Sequence, residues 1–242
     1  MRRSIPLTIR GQIMTKLIIA GVISAVVSYL LGSCNSSIIV VRLLKHEDVR
    51  EHGSKNAGLT NTLRCYGKLP ALLTLIGDLG KGIVSVLLSI LAFGLIVGEG
   101  GFDRQTVGYM SGIFAILGHI FPVYYGFRGG KGVLVSCSIL LVIDPLTFVI
   151  IIPFFAAVLF ISKYVSVASI ASAVFYPFLT FLLHYFAEKE PFDICIVHTV
   201  LVAVTSVLLI YMHRANIKRL IEGTENKFIK KKTADKKEDN NG

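Results

Sequence analysis

Long apolar windows, separated by short polar clusters, set the pattern of this chain. Seven windows stand out, at about 17–41, 69–97, 107–125, 132–144, 146–162, 164–186 and 194–213, each nearly free of charged residues. A helix rises 1.5 Å per residue, so about 20 such residues cross the roughly 30 Å of a bilayer's hydrocarbon. The pattern predicts an all-α polytopic membrane protein of about seven transmembrane helices. The fourth window is short, and only Asp144-Pro145 joins it to the fifth. Proline resists helix continuation, so these two windows form a hairpin that either spans the membrane or re-enters it. Three regions follow: an N-terminal extension over 1–16, a transmembrane domain over 17–213, and a basic tail over 214–242.

Composition agrees with this reading, since 53% of the 242 residues are hydrophobic and 17% charged. The first apolar segment is too long for a secretory signal, and no small-residue cleavage site clearly follows it. It is predicted to be a retained helix. Met14 offers an alternative start that would remove Arg2, Arg3 and Arg10. The end of the tail, "KKKTADKKEDNNG" over 230–242, is polar and low in complexity, a composition that favours disorder. Cys34, Cys65, Cys137 and Cys195 lie scattered, without CxxC or Cys/His spacing, and imply neither a zinc site nor a disulfide framework.

Charge sets the orientation. Lys45, Arg50, Lys55, Arg64 and Lys68 cluster in one connection, and more basic residues follow the last span. The 98–106 and 187–193 connections carry only Arg104 and Lys189. The positive-inside rule places 44–68, 126–131, the Lys163 turn and the C-terminus in the cytoplasm. The basic N-terminus argues the other way and is outvoted by the larger clusters. The formal charge of +10 then sits mostly where anionic lipid attracts it, and nucleic acid is not needed to explain it.

Three polar stretches fall on that predicted cytoplasmic face. The first, Leu30 to Arg64, is read as a loop rich in hydrogen-bonding groups: Ser33, Asp48, Arg50, Ser54, Asn56, Thr60 and Asn61. The second, "FRGGKG", sets Gly129 and Gly130 between Arg128 and Lys131. Successive backbone N–H groups there can form an anion nest, so the stretch is expected to cradle a phosphate. It is not a Walker A loop, because Tyr125 stands where that motif needs glycine and Gly132 where it needs Ser or Thr. The third stretch, His213 to Phe228, puts His213 and Asn216 three apart on one helical face. Within the second span, Asp78 and Lys81 form either a structural ion pair or part of a polar site. His119, Ser166 and Ser169 are smaller signals of the same kind.

Taken in order, "DVREHGSKNAGLTN", "GDLGKG", "GHIFPVYYGFRGGKG", "KYVSVAS" and "HRANIKRLIEGTENKF" resemble the integral-membrane acyl-phosphate:glycerol-3-phosphate acyltransferases of bacteria, from about Tyr29 to Phe228. The chain departs from that family at Cys34-Asn35, where Ile-Pro is usual, at Lys55 for Gly, at Arg128 for Lys, and at Leu134-Val135 for Ala-Thr. The resemblance implies a seven-helix fold with a cytoplasmic-face active site, in the bacterial inner membrane. It implies transfer of a fatty acyl group from acyl phosphate to the 1-hydroxyl of glycerol 3-phosphate, giving lysophosphatidic acid and phosphate. It also implies functional coupling to the enzyme that makes acyl phosphate.

In that reaction Lys131, Arg128, Gly129 and Gly130 hold one phosphate, and Arg50, Ser33, Asn56 and Ser166 help hold the other. Ser54, Thr60, Asn61 and Ser169 add substrate contacts, and Asp78, Lys81, His119, Arg219 and Glu225 support the site. The donor is already an activated anhydride, so positioning and charge matter more than a covalent nucleophile. Either His213, with Asn216 orienting it, or a substrate phosphate oxygen takes the hydroxyl proton. No HxxxxD motif is found, and no metal or other cofactor is implied. The competing reading is an anion transporter, which predicts internal repeats and basic residues along a route through the bilayer. The sequence has neither.

Overall fold

The structure, a computed structural model, describes residues 7–228. The predicted disordered end at 230–242, and Arg2 and Arg3, lie outside the described residues. Every regular element is a helix among those described: α1 Leu7–Ser33, α2 Ser36–Lys45, α3 Leu59–Tyr66, α4 Lys68–Ile96, α5 Arg104–Ile120, α6 Val133–Ile143, α7 Pro145–Ser162, α8 Val165–Leu182, α9 Phe192–Met212 and α10 Arg214–Ile221. Among the described residues, six segments are long and apolar enough to cross a membrane. The seventh predicted span, α6, has only 11 residues. Leu95, Phe160 and Ile161 stand three-quarters or more exposed, at 78%, 75% and 80%, which suits lipid contact and not water.

Local sequence sets the breaks. The first window, predicted as one span, divides at Cys34-Asn35, because the Asn35 side chain caps α2 by accepting from the Ile38 amide at 3.2 Å. The stretch read as one loop up to Arg64 holds α2 and α3. At the Asp144-Pro145 turn, Asp144 accepts from the Thr147 amide at 3.0 Å and Pro145 opens α7. Close helix contact needs glycine: a Cβ on Gly32 would overlap the Ala115 carbonyl, and one on Gly118 the Tyr29 carbonyl, so α1 and α5 meet backbone to backbone. The main core, with Ile116, Ile120, Val135, Ile139, Tyr176 and Val202, joins α5, α6, α8 and α9. At one end of the bundle the chain after α10 folds back, and the Phe228 amide donates to the Lys163 carbonyl at 2.8 Å. That contact brings the last polar stretch beside the start of α8.

Candidate active site

A cavity of about 490 Å³ opens at that end of the bundle. Its mouth carries Asn56, Thr60, Arg64, Lys131, His213 and Arg219, and its inner wall is made by Leu140, Phe148, Ile151, Phe155 and Ala173. One end is therefore cationic and hydrogen-bonding, and the other apolar.

Five segments supply the polar end. Lys131 ends the "FRGGKG" loop just before α6, and its ammonium donates to the Asn216 side-chain oxygen. The Asn216 amide donates to Glu225 at 2.7 Å; Glu225 also accepts from Ser166 at 3.0 Å and from Arg219 at 2.7 Å. Burial opposes ionisation of Glu225, but those hydrogen bonds outweigh it and hold the carboxyl below its ordinary value. The result is a relay from α10 and the tail that aims Lys131 into the cavity. Burial lowers the Lys131 ammonium to about 8; Glu225 opposes this, while Arg219 and Arg64 push the same way. Glu225 offsets part of the repulsion among these three cations, and a bound anion would offset more of it.

His213 lies at the junction of α9 and α10, almost wholly buried. Its Nδ1 lies 2.8 Å from the Leu209 carbonyl, an acceptor, so Nδ1 carries the proton and Nε2 keeps its lone pair. Burial first, and then the Lys131 charge, lower its pKa to about 4. At physiological pH the ring is neutral and able to accept a proton.

The "FRGGKG" loop is held differently from the expectation. Gly129 N–H donates to the Ile120 carbonyl at 3.0 Å and Gly130 N–H to the His119 carbonyl at 3.1 Å. Both amides are used, so they form no anion nest. The glycines serve close approach, since a Cβ on Gly129 would overlap the His119 carbonyl and one on Gly130 the His119 ring and the Ala57 carbonyl. Arg128 is exposed and does not line the cavity, which removes it from the expected phosphate clamp.

Two other expected substrate contacts are also structural. Arg50 grips Asp48 through two hydrogen bonds of 2.9 and 2.7 Å and donates to the Tyr125 and Arg128 carbonyls at 2.7 and 3.0 Å. The hydrogen bond from Arg50 holds the Asp48 carboxyl below the usual carboxylate range. Arg50 thus clasps the "FRGGKG" loop from outside and takes no place on the cavity wall. Ser33 is buried, donates to the Tyr29 carbonyl at 2.8 Å and accepts from the Val123 amide at 3.4 Å. Asn61 reaches the wall, but its side chain is occupied by the Val49 and His52 carbonyls and the Ser54 amide, at 3.1, 3.0 and 2.9 Å.

Behind the loop, Lys81 forms an ion pair with Asp78 at 2.9 Å and donates to His119 Nδ1 at 2.8 Å and to the Cys34 carbonyl at 3.2 Å. The ammonium is thus held on three sides, and His119 lies against Gly130. Asp78 and His119 touch the cavity wall, whereas Lys81 does not. Ser54, Asn56, Thr60, Ser166, Ser169, Asn216, Arg219 and Glu225 all line it with Lys131 and His213. Sequence reasoning used Arg64 only for topology. It lies on α3 four residues after Thr60, on the same helical face, and that spacing was the available signal. Ser136 was missed too; it and Ser172 line the cavity with hydroxyls that have no hydrogen-bond partner among the described residues.

Known proteins share this architecture. A family profile described as glycerol-3-phosphate acyltransferase matches residues 22–223. A glycerol-3-phosphate acyltransferase of Clostridioides difficile (strain 630) is 38% identical over 211 residues, 87% of this chain and 97% of that protein. One from Halalkalibacterium halodurans is 37% identical over 205 residues, covering 85% and 94%. The crystal structure of PlsY (YgiH), an integral membrane glycerol 3-phosphate acyltransferase in its glycerol 3-phosphate form, superposes with a TM-score of 0.70 at 30% identity, over 86% of this chain and 96% of that one. Its lysophosphatidic acid form gives 0.67 at 28% identity, over 86% and 94%. The chain belongs to the PlsY family of integral membrane glycerol-3-phosphate acyltransferases.

Proposed function

We propose that the protein transfers a fatty acyl group from acyl phosphate to the 1-hydroxyl of glycerol 3-phosphate, releasing lysophosphatidic acid and inorganic phosphate. The observation that carries this reading is the two-ended cavity: a mouth with Arg64, Lys131 and Arg219, and an inner wall of Leu140, Phe148, Ile151 and Phe155. A phosphate head with an alkyl tail has the same two ends. Lys131 neutralises a substrate phosphate, Arg64 and Arg219 share that task, and Asn56, Thr60 and Ser166 orient the glycerol backbone. His213 Nε2 is free to take the hydroxyl proton as the hydroxyl oxygen attacks the acyl carbon. The C–O bond to phosphate then breaks, and phosphate leaves as a stable anion next to the cationic mouth.

The site is assigned to the cytoplasmic face of a bacterial inner membrane, with the C-terminus on the same side. The basic connection over 44–68 and the basic residues after α9 support this orientation. Acyl phosphate is supplied by a separate enzyme that makes this anhydride. The test offers purified protein glycerol 3-phosphate with palmitoyl phosphate, palmitoyl-coenzyme A or palmitoyl-acyl-carrier protein. Lysophosphatidic acid is expected from the acyl phosphate alone. Equal or faster turnover of a thioester would overturn the donor assignment.

A further inference from the structure

At the end of the bundle away from the active-site mouth, a second polar cluster is buried among α5, α8, α9 and the α6–α7 turn. His184 and His198 are fully buried. Their Nδ1 atoms face each other at 3.0 Å, and Glu190 Oε2 lies 3.1 Å from the first and 3.2 Å from the second. On the far side of each ring, His184 Nε2 is 3.2 Å from Asp144 and His198 Nε2 is 3.0 Å from Asp103. Asp144 also accepts from the Tyr109 hydroxyl at 2.8 Å, and Asp103 from the Thr106 amide at 2.6 Å. Glu188 approaches His184 Nε2 at 3.9 Å.

The proton inventory of this cluster is short. Each Nε2 faces an aspartate, and that of His198 also lies 3.0 Å from the Thr106 hydroxyl, so a proton on each Nε2 has a carboxylate acceptor. If both Nδ1 atoms were also protonated, two N–H groups would collide across 3.0 Å. If neither is, two lone pairs and a carboxylate oxygen converge on one point with no donor between them. Glu190 Oε2 is buried and has no hydrogen-bond partner. Among the described residues no lysine or arginine pairs with Asp103, Asp144, Glu188 or Glu190. What the three atoms lack is a positive centre between them, either a proton on one Nδ1 or a metal cation.

We propose that His184, His198 and Glu190 bind a zinc-type divalent transition metal, with Asp144 and Asp103 orienting the two imidazoles. A tetrahedral zinc ion with bonds of about 2.0–2.1 Å holds its ligand atoms about 3.3 Å apart. The three donor atoms here already stand at nearly that separation. A carboxylate behind each ligating histidine is the usual means of fixing the tautomer and raising ligand basicity. The π-helical turn Leu183–Ala187 brings His184 round to face α9. A water completes the coordination. The metal ties the ends of four helical segments at this face, and its role is structural. Ligand spacing in the sequence conceals the site, because Glu190 lies in a connection and the histidines, 14 residues apart, lie on different helices.

The experiment uses tag-free full-length protein in detergent, so that no polyhistidine binds metal. Metal content is measured by mass spectrometry before and after chelation, thermal unfolding is followed in each state, and cobalt(II) replaces zinc for its visible absorption. The expected result is about one zinc per chain, a lower unfolding temperature after chelation, recovery with zinc, and a tetrahedral-type cobalt spectrum. Glu190→Gln and His198→Ala are expected to lose the metal, and Asp103→Asn to weaken it by about tenfold to a hundredfold. The wild-type chelation arm needs no variant to fold. Wild-type protein that takes up no stoichiometric zinc and whose unfolding ignores chelator and zinc would overturn the site, leaving a proton shared between the imidazoles. Metal retained by His184→Ala/His198→Ala would also overturn it.

Discussion

At the scale of single residues, Lys131 is the group on which most of the site's wiring converges. Asn216, Glu225, Ser166 and Arg219 form one hydrogen-bonded chain ending at its ammonium. Because burial brings its pKa down to about 8, its charge is within reach of ordinary buffers. Its charged form holds the substrate, so kcat/KM should be flat up to about pH 8 and fall as the pH rises further. The second ionisation of a phosphate monoester lies near about 6, too low to cause this limb. In Lys131→Arg the charge persists at every accessible pH, so the limb should vanish, although the broader guanidinium should lower the rate at neutral pH. A pH–rate profile of both proteins checks this, and an unchanged limb in the arginine variant would move the titration elsewhere. Removing His213 as proton acceptor, by His213→Ala, should cost about a hundredfold or more in kcat with little change in KM. Loss of less than about threefold would leave the substrate phosphate as the acceptor.

Among the elements, the "FRGGKG" loop shows what could be read from sequence and what could not. Its importance was legible, because glycines and cations in an apolar chain require compensation. The compensation itself was not. Whether a glycine amide faces an anion or a carbonyl depends on the partner strand of backbone, here His119 and Ile120, which a linear pattern does not reveal. Arg50 is a similar case: a basic residue in a polar connection reads as a phosphate ligand until Asp48 and two loop carbonyls use its donors. The Asp78–Lys81–His119 group works behind the loop. Lys81→Met removes the lysine paired with buried Asp78 and frees His119, and breaking such a pair costs about 3–5 kcal/mol. The variant should unfold at a markedly lower temperature and lose activity together with stability. Unchanged unfolding would remove this group from the scaffold.

For the whole molecule, the all-helical membrane architecture was legible because apolar windows of spanning length are a direct consequence of bilayer thickness. The helix ends were less so. Asn35, in the middle of an apolar run, breaks the first window by capping α2, and α6 is shorter than a span. The site was legible as a set of blocks at one face, and the structure joins most of their residues around one cavity. The cluster at the other end, around His184 and His198, was not, since residues far apart in sequence meet there. The two ends also give a topological prediction. With exposed Cys34 and Cys65 replaced, a cysteine at position 52 should react only with reagent on the cytoplasmic side, and one at 102 only from outside. Labelling of both from one side would contradict the assigned orientation.

The central claim is that one cavity with a cationic mouth performs the transfer and that Lys131 holds a substrate phosphate there. Initial rates for Lys131→Ala, with palmitoyl phosphate saturating and glycerol 3-phosphate varied, test it most directly. A charge-assisted contact is worth about 1.5–3 kcal/mol, so kcat/KM should fall by about tenfold to a hundredfold. The unfolding temperature should stay close to wild type, because Lys131 faces the cavity and not the core. Near-normal kinetics in a well-folded Lys131→Ala protein would contradict the account.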